Sequence, residues 1–241
     1  MLRHNKKGEN TMKKFVSLLL LTVLVISLVS CGPKTLSYEE FSKAEMDAEV
    51  TVDMYVQAHQ SWWDNKITVY AADKDGAYFL YEMACSEEDA TKLTPGTKIR
   101  VTGVKGAYAG EVEIMNATFE FLDSDDTYVA PAKDVTSIVG SDDLINDMNK
   151  FVAFKGMTVV AYNENGDAFE YQGGIQGKDI YFKLSNGTAT IECCIESYLT
   201  DSTSDVYKAV EALKVGDTVD VEAFLYWYNG ANPHVTKVTV K

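Results

Sequence analysis

The chain has 241 residues, with 36 Asp and Glu against 22 Lys and Arg, a formal charge of −14. Phosphate backbones are held by clustered basic side chains that release counterions, so this balance argues against nucleic acid as a partner. A hydrophobic share of 46% with 24% charged residues is that of an ordinary folded protein, which excludes wholesale disorder and a polytopic membrane protein.

Lys13 and Lys14 follow Met12, an apolar run extends from Phe15 to Val29, and Ser30-Cys31-Gly32 closes it with small residues. This is the order of a secretory signal. The run falls short of the roughly 20 apolar residues that a bilayer-spanning helix needs. Residues 1–30 are therefore expected to be removed as a signal peptide whose complete form begins at Met12, the eleven residues before it reading as an over-called start or an extended charged region. Leu28-Val29-Ser30-Cys31 resembles the lipobox of bacterial lipoproteins, whose Cys is acylated on its thiol, by palmitate for example, and becomes the new N-terminus. The resemblance implies lipidation at Cys31 and an extracytoplasmic chain anchored to the cell membrane, with residues 31–36 as a short tether. Processing would remove Arg3, Lys6, Lys7, Lys13, Lys14 and Glu9, leaving 17 basic and 35 acidic residues, a charge of −18. So acidic a surface is repelled by anionic headgroups, so attachment should rest on the lipid.

Leu93-Thr94-Pro95-Gly96-Thr97-Lys98-Ile99-Arg100-Val101 returns 120 positions later as Leu213-Lys214-Val215-Gly216-Asp217-Thr218-Val219-Asp220-Val221, and Tyr108 and Gly110 match Tyr228 and Gly230 at the same offset. A repeat that long means two copies of a domain rather than a solenoid. In the first copy, strands are expected at Val50 to Ala58, Ile67 to Ala72 and Ala77 to Met83, then a short helix capped by Ser86, then strands at Thr97 to Gly103 and Val112 to Phe121. The second runs Phe151 to Ala161, Asp179 to Leu184, an Asn186-Gly187 hairpin, Thr188 to Ile195, a helix from Asp205 to Leu213, Asp217 to Tyr226, and Val235 to Val240. Three strands, a helix and two strands is the order of the OB-fold, so a mainly β chain of two tandem OB-like five-stranded barrels is expected, over 37–122 and 135–241. Each is preceded by a short helix, the first with a capping box at Ser37 and Glu40, the second opening at Ser141 before Leu144 and Ile145. Residues 123–134, acidic and holding Pro131, read as the linker. Cys85, Cys193 and Cys194 read as small buried hydrophobes. A disulfide from Cys85 or metal chemistry is the alternative.

The runs Gln60 to Lys66, Gly76 to Glu82 and Phe224 to His234 resemble those of lipoproteins from anaerobic gut Firmicutes, a family with no assigned activity. The resemblance implies location and tandem OB-like architecture, and carries no functional residue beyond Cys31.

OB-folds bind on the face of strands two and three, between the loop joining strands one and two and the loop joining strands four and five. The aromatics gather in those loops: Trp62, Trp63 and Tyr108 in the first copy, and Tyr226, Trp227 and Tyr228 in the second, with Tyr162, Phe169 and Tyr171 in its enlarged first loop. Rimmed by Asp64, Asn65, Asn229 and Asn232, these rings could stack on a sugar or peptide; alternatively they close the barrel ends or pack the two domains together. Asp73 with Asp75, the trio Asp123, Asp125 and Asp126, and Asn163, Asn165 and Asp167 could offer oxygens to calcium, but none continues into an EF-hand loop, so solvated turns are expected and no metal or other cofactor. His59 and His234 remain after processing, without a hydrolase, zincin or phosphate-loop motif around them. The leading expectation is a non-catalytic, surface-anchored binding or scaffolding lipoprotein for a glycan, peptide or protein. A nucleic-acid binder, disfavoured by charge, and an enzyme without a recognisable motif are the alternatives.

Overall fold

The structure, a computed structural model, describes residues 34–241, so the signal segment and Cys31 lie outside the described residues. Thr35–Lys241 form one compact unit that contains both barrels. Among the described residues no helix is long and apolar enough to cross a membrane.

Helix α1 (Tyr38–Lys43) begins at Ser37, whose side chain accepts from the Glu40 N–H while Glu40 returns the bond to the Ser37 N–H, the capping box expected there. Its other end is closed from a distance. Buried Lys105 extends its ammonium to the carbonyls of Phe41, Ser42 and Ala44 at 2.7–3.0 Å, which satisfies acceptors that the helix leaves open and offsets the burial that lowers the lysine's pKa.

The first barrel is closed in the order β1-β2-β3-β5-β4, with β1 Glu49–His59, β2 Lys66–Ala72, β3 Ala77–Ala84, β4 Lys98–Tyr108 and β5 Glu111–Phe121. Strand alternation sends Val50, Val52, Met54 and Val56, with Ile67, Val69, Tyr78, Leu80, Ile99, Val101 and Ile114, into one core. The one-turn helix α2 (Glu87–Ala90), capped by Ser86, bridges β3 and β4 and adds Ala90 to that core. The second barrel repeats the plan with β7 Phe151–Val160, β9 Ile180–Ser185, β10 Thr190–Ile195, β11 Thr218–Phe224 and β12 His234–Val240, closed by the β7–β9 pairing, and α3 (Asp205–Glu211) again between the third and fourth strands. The chain is thus mainly β, two closed five-stranded barrels with the OB strand order. The repeated glycines do equivalent work. Gly96 (φ +91°) and Gly216 (φ +97°) each turn the chain into the fourth strand, and their N–H groups bond back to Val56 and Val159 of the first strand.

Several elements go beyond the sequence reading. β4 and β5 run on past the barrel as a long hairpin arm, turned tightly at Ala109-Gly110, both with positive φ. β8 (Phe169–Tyr171) pairs with β9 inside the enlarged first loop, and β6 (Lys133–Asp134), at the end of the expected linker, pairs in parallel with β7. The segment opening at Ser141 is a 3-10 turn over Asp142–Asp147, with Leu144 buried and Ile145 exposed. The α3 helix ends at Glu211, and Tyr207 is buried on it beside Val210, its hydroxyl donating to the Lys178 carbonyl at 2.7 Å. The linker is tied down along the first barrel: Asp126 accepts from the Tyr55 hydroxyl, Thr127 donates to Gly96, and Gln57 bonds both Tyr128 and Ala130. Cys85, Cys193 and Cys194 are buried free thiols, Cys193 in the second core.

Candidate functional site

The face that OB barrels use for binding is half occupied in the first barrel. Tyr70 on β2 and Phe79 on β3 point outward, and the second barrel covers them with Phe224, Phe151, Leu199 and Tyr226. Tyr70 stacks on Phe224 at 4.5 Å between centroids and shares a 2.6 Å hydrogen bond with His234 Nδ1, while Tyr226 stacks on the same imidazole at 4.3 Å. Burial lowers the His234 pKa to about 3, so the junction holds a neutral ring. The arm docks beside this patch. Asn229 N–H donates to the Ala109 carbonyl, Asn149 Nδ2 to the Val112 carbonyl, and Trp227 N–H to Glu111, with the Trp227 indole against Gly110, where even a Cβ would come within 2.9 Å of it.

What remains open is a groove of about 570 Å³ at the far end of the β2–β3 face. The loop Gln60-Ser61-Trp62-Trp63 forms one wall. Trp63 and Lys66 exchange backbone hydrogen bonds at 3.0 and 2.9 Å around Asp64 and Asn65, both left-handed, which makes a two-residue hairpin and carries Trp63 at its shoulder. The Trp62 ring is tied inward by its Nε1–H to the Cys85 carbonyl at 2.9 Å, so Trp63 is turned out, 79% exposed. Thr68, Ile67 and the exposed Tyr81 line the β2–β3 side, and Lys66 is held by Glu82 at 2.7 Å. The last wall comes from the second barrel. Tyr198, 61% exposed, stands on a turn after β10 whose carbonyl receives the Ser61 N–H at 2.7 Å. Beneath it the Glu196 carboxyl, whose pKa burial raises to about 7, accepts from the N–H groups of Tyr198 and Leu199.

Of the nine loop aromatics named from sequence, Phe169 and Tyr171 pack against the second core and Tyr162 lies under the Lys183 ammonium, and the other six separate. Trp63 lines the groove with its face free, and Trp62 lines it while anchoring the loop. Tyr226 lies between the barrels. Trp227 is half-buried against the arm and borders a second hollow of about 480 Å³ with Ser141, Ile145, Thr190 and Glu192. Tyr108 and Tyr228 form an exposed pair at the two hairpin tips, centroids 6.1 Å apart. Tyr81 and Tyr198 were missed. Outward alternation on β3 could have marked Tyr81, but only the docking of the barrels brings Tyr198 to the same groove. The acidic turns close on themselves: Asp73 accepts from the N–H of Asp75 and Gly76 and from the Tyr78 hydroxyl, and Asn163 from Asn165 and Asp167. Among the described residues no cluster of His, Cys, Asp and Glu is arranged to hold a metal ion.

No protein-family model matches the chain, and no curated protein sequence matches it. Among solved structures, a murine DNA-binding protein bound to double-stranded DNA is similar at 10% identity and TM-score 0.38 over 79% of this chain and 96% of that one. The asparaginyl-tRNA synthetase of Pyrococcus horikoshii is similar at 18% identity and TM-score 0.29 over 38% of this chain, which spans 19% of the synthetase. A replication protein A heterotrimer bound to single-stranded DNA gives 10% identity and TM-score 0.30 over 80% of this chain and 49% of that one. Likenesses this distant concern the fold alone.

Proposed function

We propose that the protein is a lipid-anchored, non-catalytic binding protein on the outer side of a cell membrane, and that the groove between Trp63, Tyr81 and Tyr198 takes a neutral or cationic ligand with a flat face, a glycan or a peptide. The observation that carries the binding reading is the exposed Trp63 ring on a backbone-locked hairpin, facing an opening to which both barrels contribute. A large indole left in water on a rigid support costs little entropy when a ligand stacks on it. The anchoring rests on the lipobox ending at Cys31 and on the resemblance to gut Firmicutes lipoproteins.

DNA, present in some of the similar structures, suits this groove least. Its one lysine, Lys66, is already neutralised by Glu82, Asp64 stands at the tip of the hairpin, and the whole chain carries −14.

The binding test is a thermal-shift panel of gluco- and chito-oligosaccharides, neutral and lysine-containing peptides and an oligo-dT strand. Stabilisation by a glycan or peptide that disappears in Trp63→Ala is expected. Stabilisation by oligo-dT alone would overturn the ligand class. The anchoring test is Cys31→Ala, which should leave the protein without lipid and out of the membrane fraction; labelled palmitate still appearing on that variant would refute the lipoprotein reading.

A further inference from the structure

Glu111 and Glu113 alternate to the same side of β5, the side turned to the second barrel, and both are buried: Glu111 is 0% exposed and Glu113 4%. One Glu111 oxygen accepts the Trp227 N–H at 2.7 Å across the junction. The other, Oε1, has no hydrogen-bond partner, the one such buried side-chain atom among the described residues. A carboxylate held this way would keep a full charge in a dry interface with half its acceptors empty, at a cost that a neutral acid avoids. Among the described residues no cation offsets it. The groups that face it are Glu113 on its own strand, Tyr226 and the Trp227 N–H on the β11–β12 connection, and the Asn149 amide ahead of β7, with Tyr108 beside Tyr226. Lys150, next to Asn149, is engaged by Asp147 at 2.9 Å.

We propose that Glu111 is a proton-operated latch between the two barrels: as the neutral acid it lets the arm seat on the β11–β12 connection, and loss of its proton loosens that seat. Burial drives the Glu111 pKa up to about 8, against smaller opposing pulls from the Trp227 N–H and the Asn149 amide. The docked state thus binds this proton more tightly than the undocked one, so the latch holds fully below the ordinary glutamate value of 4.5, weakens as pH rises above it and levels off past about 8. His234, at the other end of the same junction, works in the opposite sense. Its pKa is lowered to about 3, so its contribution is complete above the ordinary histidine value and fades as pH falls toward 3. Glu113, raised by burial, acts in the same sense as Glu111.

The experiment is hydrogen exchange, corrected for the intrinsic rate, followed by mass spectrometry on peptides covering 107–116 and 225–232 from pH 6 to pH 9. Wild type should lose about tenfold in protection between pH 7 and pH 9, the fall that a single proton released near pH 8 produces, while the first-barrel core stays protected. Glu111→Gln, which keeps an acceptor for Trp227 without a titrating charge, should flatten the curve, and Glu113→Gln should leave most of it. No loss in wild type, or the same loss in Glu111→Gln, overturns the latch. Should Glu111→Gln fail to fold, difference infrared spectra of Glu196→Gln decide, since that variant removes the carboxyl of Glu196, itself raised to about 7: a protonated carboxyl band that persists at pH 7 and vanishes by pH 9 supports the latch, and its absence at pH 7 overturns it.

Discussion

Tyr70→Ala is expected to cost about 3–5 kcal/mol, the loss typical of truncating a large aromatic in a core, and to split one unfolding transition into two. Tyr70 belongs to the outer face of the first barrel, so its removal leaves that barrel's own core of Val52, Met54, Val69, Leu80 and Ile114 intact. What it removes is the stack on Phe224, the edge contact with Phe79 at 5.2 Å and the hydrogen bond to His234. The partner loses as well, because a fully buried imidazole is left without its hydroxyl, adding a desolvation cost of about 1–3 kcal/mol. Scanning calorimetry checks this. Wild type should melt as one cooperative unit, and Tyr70→Ala should show two resolved transitions, with the second barrel at the lower temperature because Phe151, Phe224 and Tyr226 become solvent-exposed. Tyr70→Phe separates the terms: it keeps the stack, loses the hydrogen bond, and should remain a single transition at a lower Tm.

Gly103→Val should strongly destabilise the first barrel. Gly103 sits in β4 where the register with β5 shifts, and a Cβ there would stand 2.7 Å from Ile114 Cγ2, 2.8 Å from the Met115 carbonyl oxygen and 3.1 Å from the Ala117 Cα. Two of those neighbours are backbone and cannot rotate away, so β4 and β5 must separate. Overpacking of one methyl costs about 1–3 kcal/mol, and the branched side chain should cost more. The arm begins at this point, so its aim toward the second barrel should change too. Chemical denaturation should show a large drop in midpoint for Gly103→Val, a smaller one for Gly103→Ala, and little for Gly187→Ala, a hairpin glycine with open space around it whose cost is confined to its positive φ.

Local chemistry made most of the fold legible. Period-two alternation along β1 and β11, the capping box at Ser37 and Glu40, and the Ser86 cap each act within a few residues, and they place strands and helices to within a residue or two at most ends. Long-range effects hid the rest. Lys105 and Gly106 break the alternation of β4, so the arm reads as loop, although Lys105 is buried as the closing group of α1. Glu111 falls just outside the strand expected from Val112, and Glu113 alternates to that strand's polar side; what dries both is another barrel. Tyr226 and Trp63 look equivalent in sequence, each a loop aromatic next to another, yet one is packed between barrels and the other stands in water. The difference lies in which barrel surface faces each, and no short pattern encodes that. Tyr198, in a polar turn with no distinguishing neighbour, reaches the groove only through the Ser61 hydrogen bonds and the Glu196 carboxyl.

The most direct test of a groove built by both barrels is titration calorimetry of the strongest glycan or peptide from the panel against wild type, Trp63→Ala and Tyr198→Ala. Both rings are largely exposed, so truncating either should change stability by under about 0.5 kcal/mol. The expected result is a loss of about tenfold or more in affinity from each variant, 1.4 kcal/mol or beyond, although the two rings come from different barrels. Unchanged affinity in both variants, or full affinity in residues 135–241 alone, would contradict it.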